Sequence, residues 1–251
     1  MISLLEAVIL SIIQGITEWF PISSSGHLAL AQNFFGFQDL SYDVFLHFAS
    51  IFAVLFLFKR DILKIFSFNK ESLDYILLLI IAIIPAGLFG FYFSDYIEKL
   101  FSNMIYLGFF FIFSGTIIYL TKFTNENKSY INKKDAFFVG IMQSIALLPG
   151  ISRSGMTISA GLFRGLSKRA SIRFSFLMLV PIILGASILK AKDLNSSNID
   201  LNILIISFIV TFLVSLFTIK ILIKIISNDK FYLFGIYNIL LGILVLILRL
   251  F

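Results

Sequence analysis

The sequence is poor in charged residues and contains no cysteine. Aspartate, glutamate, lysine and arginine make up 14% of its 251 residues, whereas a typical soluble domain carries about 25%. A hydrophobic share of 59% and a mean hydropathy of +1.00 therefore exclude an ordinary soluble domain and indicate an integral membrane protein. Because cysteine is absent, the sequence carries no thiol redox chemistry.

Six apolar stretches of 15 to 19 residues are candidates to cross a bilayer as helices, for which about 17 to 25 residues are typical. They are residues 44–58, 75–93, 104–121, 174–190, 201–219 and 231–248. Two shorter apolar stretches, 2–13 and 136–148, each run into a polar, glycine-rich segment. Non-helical backbone at membrane depth is tolerated only inside protein or beside a wet cavity. We therefore predict an all-α protein with six transmembrane helices and two re-entrant helix-loop-helix segments.

The two polar segments are copies of one motif. Residues 14–27 read QGITEWFPISSSGH and residues 143–156 read QSIALLPGISRSGM, with 6 identities in 14 aligned positions. Each copy begins a unit with three crossings, and an odd number of crossings inverts the second unit relative to the first. We predict a single membrane domain over 1–251, with repeat 1 at 1–121, a connecting loop at 122–135 and repeat 2 at 136–251.

A second, weaker self-match supports this division. Gly108 and Gly115 in the third predicted span align with Gly235 and Gly242 in the last one. A spacing of seven residues is two helical turns, so each pair lies on one helix face and predicts the close approach of another helix.

Lysine and arginine are divided unevenly between the two predicted faces. Fifteen of the twenty lie in loops on one side and four on the other. The positive-inside rule makes the richer face cytoplasmic, so both termini and the loops near 39–43, 94–103 and 191–200 are predicted to be outside. Basic residues spread over separate loops do not favour nucleic-acid binding. The N-terminus lacks a basic start and carries Glu6, so a cleaved signal peptide is not expected.

The polar residues of the two copies are expected to meet near the bilayer midplane. Arg153 should bind an anion, because a buried guanidinium costs at least roughly 2.5 to 3.5 kcal/mol and its planar fork matches phosphate. An Arg153–Glu18 ion pair that merely joins the two halves is the structural alternative. The flanking glycines allow backbone N–H groups to face the same oxygens. The predicted substrate-binding set is Ser23, Ser25, Gly150, Ser152, Ser154, Gly155 and Thr157.

Glu18 is the one carboxylate within either copy, so it is expected to be a base or a metal ligand. Gln14 lies one helical turn earlier and supplies a possible second oxygen ligand for a divalent cation, Mg²⁺ or Ca²⁺. Ser24 is the candidate nucleophile, and His27 is a candidate acid, base or nucleophile. At least one of Ser23 and Ser25 is expected to cap a helix.

Two further polar residues lie at or inside an apolar span. His47 stands in FLHFASIF and is interpreted as a structural hydrogen bonder, not as a site residue. Asp43 is interpreted as an edge residue near the outer face.

QGITEWFPISSSGH and LPGISRSGMT resemble the glutamate and arginine signatures of the undecaprenyl-diphosphate phosphatase, or bacitracin-resistance, family. Motif order and spacing agree with that family over nearly the whole chain. The resemblance implies hydrolysis of the terminal phosphate of the C55 isoprenoid diphosphate, which recycles the lipid carrier for bacterial cell-wall synthesis. It implies that Glu18 and Arg153 are essential, that Ser24 and His27 are catalytic candidates, and that Mg²⁺ or Ca²⁺ is required.

The resemblance also implies a homodimer in the bacterial cytoplasmic membrane with an active site open to the outer face. One position departs from the commonest pattern, because the family often has glutamate where this chain has Gln14. The residues themselves are also compatible with a different class of function. Inverted repeats with broken helices are also a transporter architecture, so the alternative is a transporter or flippase of the lipid monophosphate.

Overall fold

The computed structural model describes residues 2–36, 39–67, 69–101, 103–196 and 199–250. Within these ranges the chain is helical, and the only β-pairing is one isolated bridge between Lys128 and Leu166. The helices are α1 (Leu4–Thr17), α2 (Ser24–Phe35), α3 (Leu40–Leu57), α4 (Lys59–Ile65), α5 (Lys70–Phe101), α6 (Met104–Leu120), α7 (Lys133–Ile145), α8 (Arg153–Phe163), α9 (Lys168–Ser196), α10 (Leu201–Ser227) and α11 (Tyr232–Leu250). The prediction of an all-α protein is confirmed.

Five helices of the described chain are long and apolar enough to cross a membrane. These stretches are Leu40–Leu57, Lys70–Ile97, Met104–Phe123, Lys168–Ile188 and Leu201–Ser227. Each coincides with one of the six predicted spans, and the sixth corresponds to the shorter apolar stretch Tyr232–Leu248 of α11. The chain is thus a multi-pass membrane protein.

Several helix ends differ from the prediction. Helix α5 continues to Phe101 and α9 to Ser196, so most of the predicted outer loops 94–103 and 191–200 is helical. Residues 102, 197 and 198 of those loops lie outside the described residues. Helix formation depends on backbone hydrogen bonds and propensity, so a helix need not end where hydrophobicity ends. Likewise Asp39 caps α3, which makes most of the predicted loop 39–43 helical, and α7 starts at Lys133, before the predicted residue 136.

Each motif copy joins two short helices. Helix α1 has 14 residues and α7 has 13, which are too few to cross a bilayer. The chain turns after each of them and starts α2 at Ser24 and α8 at Arg153. Two short helices joined by a polar loop are therefore present in both copies.

Helices α6 and α11 pack closely through the four predicted glycines. A Cβ atom added to Gly115 would lie 2.7 Å from the carbonyl oxygen of Gly235, and one added to Gly242 would lie 2.6 Å from that of Gly108. The later glycine of α6 thus meets the earlier glycine of α11 and the earlier one meets the later, so the two helices run antiparallel. The prediction that each glycine pair admits another helix is confirmed.

The first short helix of each predicted repeat packs against a long helix of the other predicted repeat. Helix α1 packs against α10, and α7, which contains the other motif copy, packs against α5. Helices α3 and α9 pack against each other between these pairs. The largest described core cluster includes Trp19, which lies two residues after the end of α1. Its ring meets Phe176 of α9 edge to face. This arrangement brings the two polar loops to the same part of the molecule.

The connecting loop is anchored at one end of the helices. Asp135, a fully buried carboxylate, accepts hydrogen bonds from Lys128 Nζ at 2.5 Å and Arg164 Nε at 2.8 Å. Burial opposes ionisation of Asp135, but the hydrogen bonds from Lys128 and Arg164 outweigh it and lower the pKa of the carboxyl group. The loop is therefore held against the α8–α9 turn by a charged cluster.

Candidate active site

Glu18 connects the two motif copies. It follows α1, is 6% exposed, and its backbone N–H donates to the Gln14 carbonyl. Its Oε1 accepts from Nη2 of Arg153 at 2.5 Å, while its Oε2 accepts from the Ser24 hydroxyl at 2.7 Å. Three of the residues predicted to be catalytic are therefore in direct contact.

Arg153 is the first residue of α8 and is only 17% exposed at its side chain. One terminal nitrogen, Nη2, is on Glu18, whereas the other, Nη1, is buried without a protein partner. A buried donor without a partner is costly. The guanidinium therefore retains a free donor for an anionic oxygen.

Gln14 and His47 complete the surroundings of the Glu18 carboxylate. Gln14 Nε2 lies 3.1 Å from Glu18 Oε2, and Nδ1 of His47 lies 2.8 Å from the same oxygen. The carbonyl oxygen Oε1 of Gln14 is buried without a partner. The interpretation of His47 as a hydrogen bonder is confirmed, but its exclusion from the site is wrong, because its ring contacts the central carboxylate and lines the cavity beside it. The available signal was the high cost of an ionisable side chain in a span, which makes such a residue a site candidate by default.

A cavity of about 220 Å³ opens beside these groups. Of the predicted residues it is lined by Glu18, Ser24, Ser25, Ser152, Arg153 and Ser154, together with His47. Its remaining wall is mainly apolar and comes from α3, the second loop and α9, including Val44, Leu147, Ile151, Leu179, Ile182, Ile183 and Ala186. A polar end and an apolar wall within one cavity suit an amphipathic ligand.

The two loops cap the following helices in the same way. Ser23 Oγ accepts from the Gly26 N–H at 3.3 Å, and Ser152 Oγ accepts from the Gly155 N–H at 3.1 Å. The predicted cap is therefore confirmed for Ser23. The Ser152 N–H donates to Ser114 Oγ of α6, so it is already occupied. These contacts fix the start of each helix.

Several residues predicted to meet the substrate lie outside the cavity lining. The Thr157 hydroxyl lies 2.6 Å from Ser175 Oγ. At Gly155 an added Cβ would lie 2.6 Å from Ile118, so this glycine serves close packing against α6. Gly150, at φ +87°, provides the left-handed backbone of the second loop. Their structural roles arise because a motif's glycines and hydroxyls also have to pack and cap.

His27 also points elsewhere. Its Nδ1 lies 2.8 Å from the carbonyl oxygen of Ser23, and its Nε2 lies 2.8 Å from the hydroxyl of Tyr237 in α11. The ring is not part of the cavity lining that contains Ser24 and Arg153. The structure thus brings Glu18, Ser24 and Arg153 together, whereas the His27 ring contacts Tyr237 of α11.

Known proteins of one family match this chain over nearly its whole length. The model of the family described as Bacitracin resistance protein BacA matches residues 7–244. An undecaprenyl-diphosphatase of Halothermothrix orenii is 39% identical over 252 residues, which cover 97% of each chain. Similar proteins of the same name occur in Carboxydothermus hydrogenoformans, at 38% identity over 97% of each chain, and in a Sulfurihydrogenibium species, at 40% over 96% of this chain and 97% of its own. The chain belongs to the Bacitracin resistance protein BacA family.

Proposed function

We propose that this protein hydrolyses the terminal phosphoanhydride bond of undecaprenyl diphosphate, yielding undecaprenyl phosphate and inorganic phosphate. Family membership and relatives named undecaprenyl-diphosphatase support this activity over the transporter alternative. The observation that carries it is the contact of Arg153 and Ser24 with the two oxygens of Glu18 beside one cavity. An anion-binding group and a hydroxyl next to a carboxylate are the parts that phosphoryl transfer requires.

Arg153 is the residue that binds the phosphate. Its Nη1 has no protein partner. The N–H groups of Arg153 and Ser154, the first two of α8, lack intrahelical acceptors and favour anions, whereas the third is capped by Ser152. These donors would bind the phosphoryl group and stabilise the negative charge that spreads over its oxygens during transfer. Electrostatic stabilisation of this kind supplies much of the catalysis in phosphoryl transfer.

Ser24 is the nucleophile that the geometry favours. Its hydroxyl donates to Glu18 Oε2 at 2.7 Å, so the carboxylate is placed to take the proton as the oxygen attacks phosphorus and undecaprenyl phosphate leaves. Water then hydrolyses the phosphoserine and releases inorganic phosphate. His27 has both ring nitrogens within hydrogen-bond distance of other groups and does not line the cavity. A water molecule activated by Glu18 is the remaining alternative, and it predicts turnover without a phosphoserine.

The apolar wall suits the isoprenoid chain. Leu179, Ile182 and Ile183 of α9 face the polar end across the same cavity. A C55 tail is far longer than this cavity, so only the first isoprene units would lie against the wall while the rest stays in lipid. Burial of apolar area contributes about 25 cal/mol per Å² to such binding.

A divalent cation fits the polar end only with help from the substrate. Within the described residues, no group of three or more histidine, aspartate or glutamate side chains is arranged to hold a metal ion. Gln14 Oε1 is an unpartnered buried acceptor one helical turn from Glu18. Oxygen ligands and one carboxylate suit Mg²⁺ when substrate phosphates complete the coordination. Gln14 and Glu18 would then hold the ion, which would neutralise phosphate charge.

The finer topology is part of this proposal. It comprises six spanning helices and two re-entrant segments in inverted repeats, with both termini outside the cytoplasmic membrane and the site open to the outer face. The reciprocal pairing of α1 with α10 and of α7 with α5 supports the repeats, and the uneven distribution of basic residues supports the orientation. Two copies are expected to associate, as the family resemblance implies.

Phosphate release from undecaprenyl diphosphate by purified protein in detergent tests the activity. We expect release by the wild type and a loss of at least about a thousandfold in Arg153→Ala, the range seen for arginines that stabilise phosphoryl transfer. Arg169→Ala is the matched control, because this arginine is exposed at the start of α9 and does not line the cavity. Carrier movement across proteoliposomes without phosphate release would instead support the transporter alternative.

A further inference from the structure

Helix α11 contacts the first motif through two consecutive polar side chains. Asn238 Nδ2 donates to the carbonyl oxygen of Pro21 at 2.8 Å. The hydroxyl of Tyr237 lies 2.8 Å from Nε2 of His27, and the two rings stack. Asn238 is fully buried, whereas Tyr237 is 43% exposed. The steps of phosphate binding and attack use neither residue, so these long-range hydrogen bonds require a separate explanation.

The loop that Asn238 contacts is strained. Ser23 has φ +70° and ψ 96°, a region that residues other than glycine rarely adopt. Such a conformation persists only where the surroundings over-determine it, and it is frequent at functional sites. Within the loop, the Ile22 N–H donates to the Phe20 carbonyl at 2.7 Å, which closes a tight turn around Pro21. The Pro21 carbonyl is then held from outside by Asn238.

The strained residue directly precedes the proposed nucleophile. Ser23 is the N-cap of α2 and Ser24 is its first residue, so the Ser23 dihedral angles set where the Ser24 hydroxyl lies. A Ser23 backbone relaxed to negative φ would redirect the start of α2. The 2.7 Å hydrogen bond from Ser24 to Glu18 Oε2 would then be lost. An external contact that holds the turn therefore acts on the reacting hydroxyl.

We propose that Asn238 and Tyr237 are positioning residues of the active site. Asn238 holds the turn at Pro21 so that Ser23 keeps its strained backbone and Ser24 stays on Glu18, while Tyr237 holds the next turn of α2 through His27. This inference rests on the proposed phosphatase activity. It gives the last helix of the chain a part in the reaction, although neither residue lines the cavity.

The structural alternative is an ordinary buried hydrogen bond that stabilises the fold without affecting Ser24. The two explanations differ in their dependence on Ser23. Glycine populates positive φ about as readily as negative φ, so Ser23→Gly removes most of the strain that Asn238 would have to support. If Asn238 acts through that strain, its loss should matter less once position 23 is glycine. If it only stabilises the fold, its loss should matter equally in both backgrounds.

The test is a double-mutant cycle on kcat and KM with undecaprenyl diphosphate in detergent. It compares wild type, Asn238→Leu, Ser23→Gly and the double variant, with Leu240→Ala, a 61% exposed position on the same helix, as control. We expect Asn238→Leu to lower kcat about a hundredfold, the cost of misplacing a reacting group by about 1 Å. KM should change by less than about threefold, because ground-state binding is retained. In the Ser23→Gly background the same change should lower kcat by less than about fivefold.

Equal losses in both backgrounds, or an unchanged kcat in Asn238→Leu, would overturn the inference. If Asn238→Leu does not fold, Tyr237→Phe decides the matter, because it deletes only the hydroxyl group that contacts His27. We expect kcat about tenfold lower with KM retained, and an unchanged kcat would reject the positioning role. A wild type without phosphate release would remove the proposed function itself, whereas an active wild type with fully active variants removes only this inference.

Discussion

Replacing Glu18 by glutamine separates a chemical role of the Glu18–Arg153 pair from a purely structural one. Glu18 is 6% exposed and the Arg153 side chain is 17% exposed. Removing one partner of a buried ion pair costs about 3 to 5 kcal/mol, because the remaining charge stays uncompensated. Since Arg153 keeps some contact with solvent, we expect Glu18→Gln to lose about 3 kcal/mol of unfolding free energy. For a chain of this length, that loss lowers the unfolding temperature by about 6 to 12 °C.

The double variant Glu18→Gln/Arg153→Met should recover most of this stability. It removes both charges, and a neutral replacement of a buried ion pair is often close to neutral in free energy. Phosphate release should nevertheless remain at least about a hundredfold below wild type in Glu18→Gln, which lacks the proposed base. It should remain at least about a thousandfold below wild type in the double variant, which also lacks the proposed phosphate-binding arginine. Stability and activity should therefore respond differently to the second substitution.

Thermal unfolding in detergent and phosphate release on the same preparations measure both quantities. Asp61→Asn is a matched control, because its ion pair with Arg173 is more exposed, at 28% and 42%, and should contribute only about 0 to 1 kcal/mol. A double variant that regained both stability and activity would show that the pair merely joins the two halves. A Glu18→Gln variant as stable as Asp61→Asn would refute the argument from burial.

Three further predictions concern packing, pH and metal. Gly235→Leu should lower the unfolding free energy by about 1 to 3 kcal/mol in thermal unfolding, because its Cβ would lie 2.5 Å from the Tyr119 backbone nitrogen; a variant of unchanged stability would contradict the close approach of α6 and α11. The pKa of Asp135 is lowered in the folded state. The contribution of this carboxylate to the free energy of unfolding is therefore fully present above the unfolded pKa of about 3.9 and is lost as pH falls through the folded value. The stability difference between wild type and Asp135→Asn should shrink below about pH 4, and a constant difference would be incompatible with this account. Gln14→Leu should raise the Mg²⁺ concentration for half-maximal phosphate release about tenfold or more, and an unchanged metal dependence would remove Gln14 from the predicted metal site.

The residues whose burial in a membrane costs the most free energy were the most predictable part of the site. Glu18 and Arg153 are charged residues within an apolar chain, and they occur in two copies of one motif, so their meeting followed from energetic necessity. The prediction for His27 rested on its position three residues after Ser24, but its ring turns to Tyr237 instead. Local spacing sets which residues share a helix face, and it does not tell which neighbouring helix that face meets.

Helix ends were less predictable than helix positions. The apolar stretches placed the cores of α5 and α9 correctly, but both helices continue through polar residues that were predicted as loops. Hydropathy measures transfer into lipid, whereas a helix ends where its backbone hydrogen bonds and caps end. The glycine pairs of α6 and α11 were predictable because a missing side chain directly permits close backbone approach.

The sequence by itself determined the membrane class, the two motif copies, the family resemblance and the meeting of a buried arginine with a carboxylate. These follow from composition and from motifs that are local in the chain. Only the tertiary structure decided that His47, 33 residues from Gln14, contacts the central carboxylate. It alone placed Asn238, 217 residues from Pro21, on the strained turn before Ser24. The partner in such a contact has no local signal, because it depends on how whole helices pack against one another.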